Sequence, residues 1–395
     1  PPMSPDPTAA VADLPTSDTA ARPMATDRLA SIAVAGLCLL GLLAPLATTA
    51  GWSVTGPAGL AVIAALIVSA VVRPLLTNGA AALASAAVTA LLFFGLVTVA
   101  HRPDVAGFAS LGFFLVLGAA WLSSWLLIET LSGYQPPHPL LGRIADVAVP
   151  MVFGAFLFVL WEVITIGCGV PMVLLPAPSQ IAARFAGSLP ILGEDFVQTV
   201  LRAVIPGWLI GSAAGFLVAL IADRIPFLGR GLIPLGNFVS ALPMVGIAPI
   251  MVMWFGFDWQ SKAAVVVINT FFPMLVNTVA GLAASGRMER DLMRSWNASW
   301  AQTLLALRLP AAMPHVFGAL KLNSTFALIA AIVAEYFGTP IVGMGFRIST
   351  EVGRMGLDMV WAEIAVAAIT GSTFYMVLAL IEKRVTFWHP SNRGR

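Results

Sequence analysis

Between Arg28 and Arg73 the chain reads LASIAVAGLCLLGLLAPLATTAGWSVTGPAGLAVIAALIVSAVV, without one charged side chain. A helix that crosses the hydrocarbon core of a bilayer needs about 20 mostly apolar residues in succession. This stretch is long enough for two such helices, and the segment 51–57, with Gly and Pro, supplies a break between them. It therefore predicts two membrane spans joined by a short connection.

The same pattern recurs along the chain. Charged residues are absent from four further intervals, 74–101, 105–128, 231–257 and 263–286. We predict about ten spans, at 29–50, 57–76, 79–100, 107–131, 146–166, 197–221, 231–254, 261–283, 316–335 and 361–381. These stretches have helical length and lack an alternation of period two, which argues against a β-barrel.

The overall composition indicates the same class of protein. The chain is 59% hydrophobic and only 10% charged, whereas soluble domains carry about 25% charged residues. We therefore predict an all-α, polytopic transmembrane protein that is surrounded by a lipid bilayer. The net charge is only +2, and no stripe of Lys and Arg with interleaved aromatic residues indicates a nucleic-acid partner.

The distribution of basic residues predicts the orientation. Lys and Arg are more frequent in the cytoplasmic connections of membrane proteins than on the other side. When the N-terminus is placed inside and ten spans alternate, most Lys and Arg residues fall on the inner side. We therefore predict a multi-pass protein of the bacterial inner (cytoplasmic) membrane with both termini in the cytoplasm.

The predicted spans fall into two blocks along the chain. Residues 1–28 are rich in Pro, Ala, Thr and Asp and predict a disordered cytoplasmic tail. Residues 29–131 form a four-helix block with very short connections, and 132–145 read as a linker. Residues 146–390 hold six spans with longer connections, of which 284–315 is placed on the cytoplasmic side.

The connection 284–315 has the pattern of ordered helices. Met288, Leu292 and Trp296 recur at helical spacing, and further apolar residues follow Asn297. Asn tolerates the left-handed conformation that a sharp turn between helices requires. Pro310 disfavours a helical conformation at Leu309, so the second helix is expected to end there. The pattern predicts two short helices at an angle.

This loop resembles the EAA loop of permeases from binding-protein-dependent ABC importers. That motif is Glu-Ala-Ala, three residues, Gly, nine residues, Ile, one residue and Leu-Pro. Its spacing is kept here, and the matching positions are Asp291 for Glu, Leu292 and Met293 for the two Ala, Asn297 for Gly, Leu307 for Ile, then Leu309 and Pro310. Asp and Asn preserve the charge and the turn, whereas Met293 replaces a small residue that allows close helix contact.

The resemblance extends over about residues 146–390, to the permeases for nitrate, taurine, aliphatic sulfonates and pyrimidine precursors. The matching segments are LPAPS at 175–179, APIMVMWFG at 248–256, FPMLVNT at 272–278, AEYFG at 334–338 and WHP at 388–390. The first 145 residues match nothing in that group.

The resemblance implies a permease subunit with a core like that of type I ABC importers, which translocates a small polar or anionic solute. It further implies a second permease copy, an extracytoplasmic binding protein that delivers the solute, and two separate ATPase subunits that bind ATP and Mg. This chain would then hold no cofactor and be no enzyme, in keeping with its lack of a phosphate-binding Gly-Lys loop.

Two alternatives remain open at this point. The substrate can be a pyrimidine or a vitamin precursor rather than an anion. An ion-coupled secondary transporter also accommodates ten spans, although the ordered cytoplasmic loop and the lack of evident carboxylate pairs within the spans favour the ATP-driven class.

Seven residues within the spans are candidates for lining a pathway. A carboxylate or amide there either contacts a solute or ties helices together, and a proline frees backbone carbonyls or simply kinks a helix. The candidates are Glu162, Asn237, Pro243, Met244, Pro249, Asn277 and Asn323. Gly211 and Gly215 predict close helix packing. For Glu335 with the segment 338–345, gating of the path, contact with the binding protein and packing of the loop are left open.

Overall fold

The computed structural model describes residues 24–47, 56–72, 75–76, 78–132, 139–240, 243–338 and 341–388. Most of the predicted tail, much of the predicted linker, and residues 389–390 of the terminal WHP segment lie outside these ranges. The described residues are almost entirely helical, as predicted. They fall into two compact units, Pro1–Pro178 and Ser179–Arg395.

The described residues of the first unit form five α-helices. They are α1 (Met24–Leu43), α2 (Pro57–Ile67), α3 (Asn78–Ala100), α4 (Leu111–Ser132) and α5 (Pro139–Gly167). Its core contains fully buried Leu92, Leu96, Phe113 and Val116, and Val163 of α5 packs into the same cluster. Helix α5 therefore packs with the first block, although the sequence placed the span 146–166 with the second.

In the second unit, the part of the chain that the structure describes forms eleven α-helices. They are α6 (Pro178–Gly187), α7 (Leu189–Phe196), α8 (Ile205–Arg224), α9 (Pro226–Ser240), α10 (Met244–Phe255), α11 (Trp259–Ala283), α12 (Arg287–Ser295), α13 (Trp300–Thr303), α14 (Leu309–Phe337), α15 (Met344–Gly353) and α16 (Leu357–Val385). Helix α11 is central, because α8 and α14 pack along much of its length.

The predicted spans correspond to helices of the structure. Among the described residues, seven helices are long and apolar enough to cross a membrane, and three shorter apolar helices occupy the remaining predicted positions. The predicted span 231–254 is divided, because α9 ends at Ser240 and α10 begins at Met244. Pro243 precedes α10 in an extended conformation, which interrupts the helix.

Within the described ranges, three π-helical segments each end two residues before a proline in the sequence. They are Val68–Val72, Val197–Val204 and Leu304–Arg308, and the prolines are Pro74, Pro206 and Pro310. The N–H of Leu309 bonds to the carbonyl of Leu304, five residues earlier. This wider turn relieves the clash that a proline ring makes in a regular helix. The helix consequently continues from Trp300 to Phe337, and the prediction that it ends at Leu309-Pro310 was wrong.

A glycine face joins α8 to α11. A Cβ atom added at Gly207 would lie 2.6 Å from Cβ of Val266, and one at Gly211 would lie 2.6 Å from the carbonyl oxygen of Val267. At Gly215 an added Cβ would meet the carbonyl oxygen of Phe271. The close packing predicted for Gly211 and Gly215 is confirmed, and Gly207 extends it by one turn.

Candidate functional site

Helix α12 presents an apolar face to its surroundings. Its residues are all described, and none of them is buried. Met288 is 83%, Leu292 50% and Trp296 72% exposed. The three are spaced by four residues and so share one face of the helix. Such a face, on a short helix between two membrane spans, is typical of a surface that binds another protein.

Polar residues of the same loop fix its shape. Nη1 of Arg294 lies 3.0 Å from Oδ1 of Asp291, one turn earlier. Asn297 has φ +54°, which confirms the predicted left-handed turn. Ser299 then caps α13 in a capping box with Gln302. Two helices in sequence therefore meet at a defined turn.

The base of the loop is fastened by residues that the sequence did not single out. Arg308 donates to both carboxylate oxygens of Asp223, at 2.8 and 2.6 Å, and its Nε donates to the carbonyl of Leu282 at 3.0 Å. Arg224 lies over the ring of Trp300, with 5.4 Å from Cζ to the ring centroid. The remaining motif positions, Met293, Leu307, Leu309 and Pro310, are half-buried.

A small cavity lies where α9 and α10 are separated. It has a volume of about 40 Å³, enough for about one water molecule. Its lining is Val239, Met244, Ile247, Val265, Ile268, Asn269, Pro273 and Phe326. Asn269 donates to Sδ of Met244 at 2.8 Å. The sequence pointed to Met244 but missed Asn269, which stands inside a predicted span and adjoins the break.

The other pathway candidates are not all gathered here. Pro243 and Pro249 are exposed on the surface of the unit, and Asn237 belongs to α9, with its side chain outside the described part. The amide of Asn277 donates to the carbonyl of Pro273 in its own helix at 2.8 Å. Asn323 is fully buried and donates to Ser212 and to the carbonyl of Thr270. The last arrangement favours helix packing for Asn323.

Glu162 lies in the first unit. Its Oε1 is 3.0 Å from Nε2 of His101, at the end of α3, and Glu162 is 6% exposed. Nδ1 of His101 is 2.9 Å from the carbonyl of Val97. This pairing favours the interpretation of Glu162 as a helix-pairing residue.

A buried polar cluster joins the π-helical segment Val197–Val204, α14 and the start of α15. Glu335 accepts hydrogen bonds from Thr199, at 2.8 and 2.9 Å, and from the backbone of Gly345 at 2.9 Å. An added Cβ at Gly343 or Gly345 would lie 2.8 Å from side-chain atoms of Glu335. Glycine thus lets the chain wrap the carboxylate, which favours packing over gating for Glu335.

A second carboxylate extends this cluster. Asp195 is fully buried and accepts from Nε of Arg347 at 2.8 Å and from the backbone of Gly343 at 2.6 Å. Burial lowers the pKa of Arg347, but the hydrogen bond and charge of Asp195 outweigh this and raise it. Glu363 is also fully buried and interacts electrostatically with Asp195. The expectation that the spans lack grouped carboxylates was therefore wrong.

Replacement of Glu335 by alanine is expected to destabilise the protein by about 3 kcal/mol. It leaves the Thr199 hydroxyl and the Gly345 N–H without their acceptor, and each unsatisfied buried group costs about 1–3 kcal/mol. The measurement is the thermal unfolding midpoint in detergent. Glu194→Ala, at an exposed carboxylate of α7, is the control. Equal midpoints for the two variants would contradict the structural role of Glu335.

An open groove lies beside this cluster, with a volume of about 980 Å³. Its lining is Pro190, Gly193, Glu194, Val197, Gln198, Arg202, Phe257, Asp258 and Val342. Arg202 donates to the side chain of Gln198 at 3.1 Å. The groove therefore offers both signs of charge on a mostly apolar wall.

Comparison with known proteins assigns the chain to a family. Residues 191–387 match the family described as binding-protein-dependent transport system inner membrane component. The formylaminopyrimidine transport permease of Halalkalibacterium halodurans is 30% identical over 246 residues, which are 60% of this chain and 95% of the relative. The chain belongs to this family of inner-membrane transport components.

Two further relatives come from other bacteria. The riboflavin transport system permease of Chloroflexus aurantiacus is 28% identical, over 60% of this chain and 88% of the relative. The taurine transport system permease of Escherichia coli is 26% identical, over 59% of this chain and 86% of the relative. Together with the fold, these matches confirm the resemblance given by the motifs: the molecule is a permease subunit of an ABC importer, integral to the inner membrane.

Proposed function

We propose that this permease imports a small polar or anionic solute, such as nitrate, taurine or an aliphatic sulfonate. Two copies would form the path, and an extracytoplasmic binding protein would deliver the solute at the groove that contains Arg202. A guanidinium in a partly apolar groove suits an anionic group. The names of the relatives include a pyrimidine precursor and riboflavin, so a vitamin precursor is the second candidate for the substrate.

Helix α12 carries this proposal. Its exposed face of Met288, Leu292 and Trp296 would enter a cleft of an ATPase subunit, one for each permease copy. ATP and Mg would bind to those subunits rather than to this chain. The basic residues Arg287 and Arg290 beside that face suit a cytoplasmic position, and both termini would then be cytoplasmic.

Replacement of Leu292 by Asp, or of Asp291 by Lys, is expected to release the ATPase. The first places a charge in the apolar face and the second breaks the pair with Arg294, so about tenfold less ATPase should be retained, as for a loss of about 1.4 kcal/mol of binding free energy. The measurement is the amount of ATPase that co-purifies with the tagged permease.

Ile341→Asp is the control, because Ile341 is 79% exposed outside the loop 284–315. Undiminished co-purification with both loop variants would exclude α12 as the docking element. An ion-coupled mechanism would then become the better explanation, since Asp195, Glu335 and Glu363 form a buried acidic group. Calorimetric titration of the partner binding protein with nitrate, taurine, sulfonates and pyrimidine precursors would identify the substrate.

A further inference from the structure

We propose that Arg308 and Asp223 form a positioning pair that passes the movement of the loop 284–315 to α8. The inference rests on the proposed function, in which α12 binds the ATPase. It concerns the step after ATPase binding, because the pair contributes no residue to the docking face of Met288, Leu292 and Trp296.

One guanidinium joins three helices at this point. Nη1 and Nη2 of Arg308 hold Asp223, in the last turn of α8, while Nε holds the carbonyl of Leu282, in the last turn of α11. Arg308 itself leads directly into α14. The Arg308 and Asp223 side chains are only 17% and 11% exposed. A bidentate pair fixes both distance and angle, which a point charge does not.

Helix α8 differs from α11 and α14 in how it is connected to the loop. Helices α11 and α14 are joined to the loop by the chain itself, so they follow its movement directly. Helix α8 ends at Arg224 and is joined to the loop by side-chain contacts, namely Asp223 with Arg308 and Arg224 with Trp300. A displacement of the loop therefore reaches α8 through these contacts.

Helix α8 is the second part of a longer helical run, and the opposite end of that run reaches the groove. Residues Leu189–Arg224 form one continuous helical run, and Glu194, Gln198 and Arg202 of that run line the groove. At about 1.5 Å per residue, Glu194 lies about 40 Å from Asp223. A shift of the Asp223 end is thus carried along one helix to the groove.

The test uses the full-length permease reconstituted with its ATPase in lipid vesicles. Glu194→Cys is introduced together with Cys168→Ser, because Cys168 is exposed. The rate of labelling by a membrane-impermeant maleimide is measured with and without ATP and vanadate. In this parent we expect ATP and vanadate to change the rate by about fivefold or more, the lower end of ordinary allosteric coupling. With Arg308→Gln added, the labelling rate should no longer respond to ATP and vanadate, while ATPase binding and ATP hydrolysis persist.

Lys321→Gln is the matched control. It removes another half-buried ion pair of α14, with Glu382 of α16, in which the two side chains are 18% and 20% exposed. This variant should keep the response. Exchange of the charges, as Asp223→Arg with Arg308→Asp, should recover part of it, because the ion pair is restored but the bond to Leu282 is not.

The outcomes separate the two proposals. Failure of the ATPase to bind the parent would reject the proposed function. An unchanged response in Arg308→Gln, an equal loss in Lys321→Gln, or release of the ATPase by Arg308→Gln would each reject the transmission role. If Arg308→Gln does not insert, Asp223→Asn removes the same ion pair with little change of shape and is judged by the same criteria.

Discussion

Replacement of Gly211 by valine is expected to abolish the recovery of folded permease. An added Cβ would lie 2.6 Å from the carbonyl oxygen of Val267 and would also meet the hydroxyl of Thr270. Backbone atoms cannot move aside as a flexible side chain can, so α8 and α11 must separate. Overpacking of this kind costs about 3 kcal/mol or more. The measurement is the monodisperse fraction in size-exclusion chromatography of the detergent-extracted protein, with its unfolding midpoint.

Gly318→Val is the matched control. Gly318 lies in α14, which also packs on α11, yet an added Cβ there has no neighbour within 4 Å among the described residues. This variant should give the same yield and midpoint as the unchanged protein. If both variants behave alike, the glycine face of α8 does not determine the packing, and the close approach of α8 to α11 would have to be abandoned.

The glycine face also shows how much of the helix packing can be predicted from the sequence. The spacing of Gly211 and Gly215 predicts a close helix contact, because small residues four apart form a groove. It does not say which helix enters the groove, since any apolar helix satisfies the pattern. The same limit applies to the spans: their positions follow from hydropathy, whereas the packing of α5 with the first unit depends on complementary side chains.

The prolines show a second limit, which concerns the prediction of helix ends. The rule that a helix ends before Leu309-Pro310 assumes regular α-helical geometry. The segment Leu304–Arg308 takes a wider turn instead, so the chain accommodates Pro310 without a break. Pro243, in contrast, is itself extended and directly precedes the first residue of α10. Local sequence does not distinguish these outcomes, because the surrounding helices decide whether a distorted turn is tolerated.

Charged residues of the site were missed for a related reason. Asp223 and Arg308 are 85 positions apart, and Asp195 and Arg347 are 152 positions apart. In the sequence, charged residues near the ends of spans indicate only how the chain is oriented in the membrane. Their pairing depends on the fold, which brings residues that are distant in sequence together. The turn at Asn297 could be predicted because its cause is local: the residue type itself favours the required backbone conformation.

Replacement of Asn297 by valine is therefore expected to release the ATPase while leaving the membrane helices intact. Asn297 has φ +54°, and the left-handed conformation costs a residue with a Cβ about 1–2 kcal/mol, with a further penalty for a β-branched side chain. The turn relieves this strain by changing the angle between α12 and α13. The docking face of Met288 and Trp296 then points away from its cleft. We expect at least about tenfold less ATPase to co-purify with the permease, as for a loss of about 1.4 kcal/mol.

Asn297→Gly separates the backbone effect from the loss of the amide. Glycine adopts positive φ without strain, so this variant should retain the ATPase at nearly the level of the unchanged protein. Because Asn297 is exposed, both variants should insert and unfold at similar temperatures. Release of the ATPase by both variants alike would mean that the amide itself contacts the partner. Retention by both would mean that the angle between the two helices is not what the ATPase recognises.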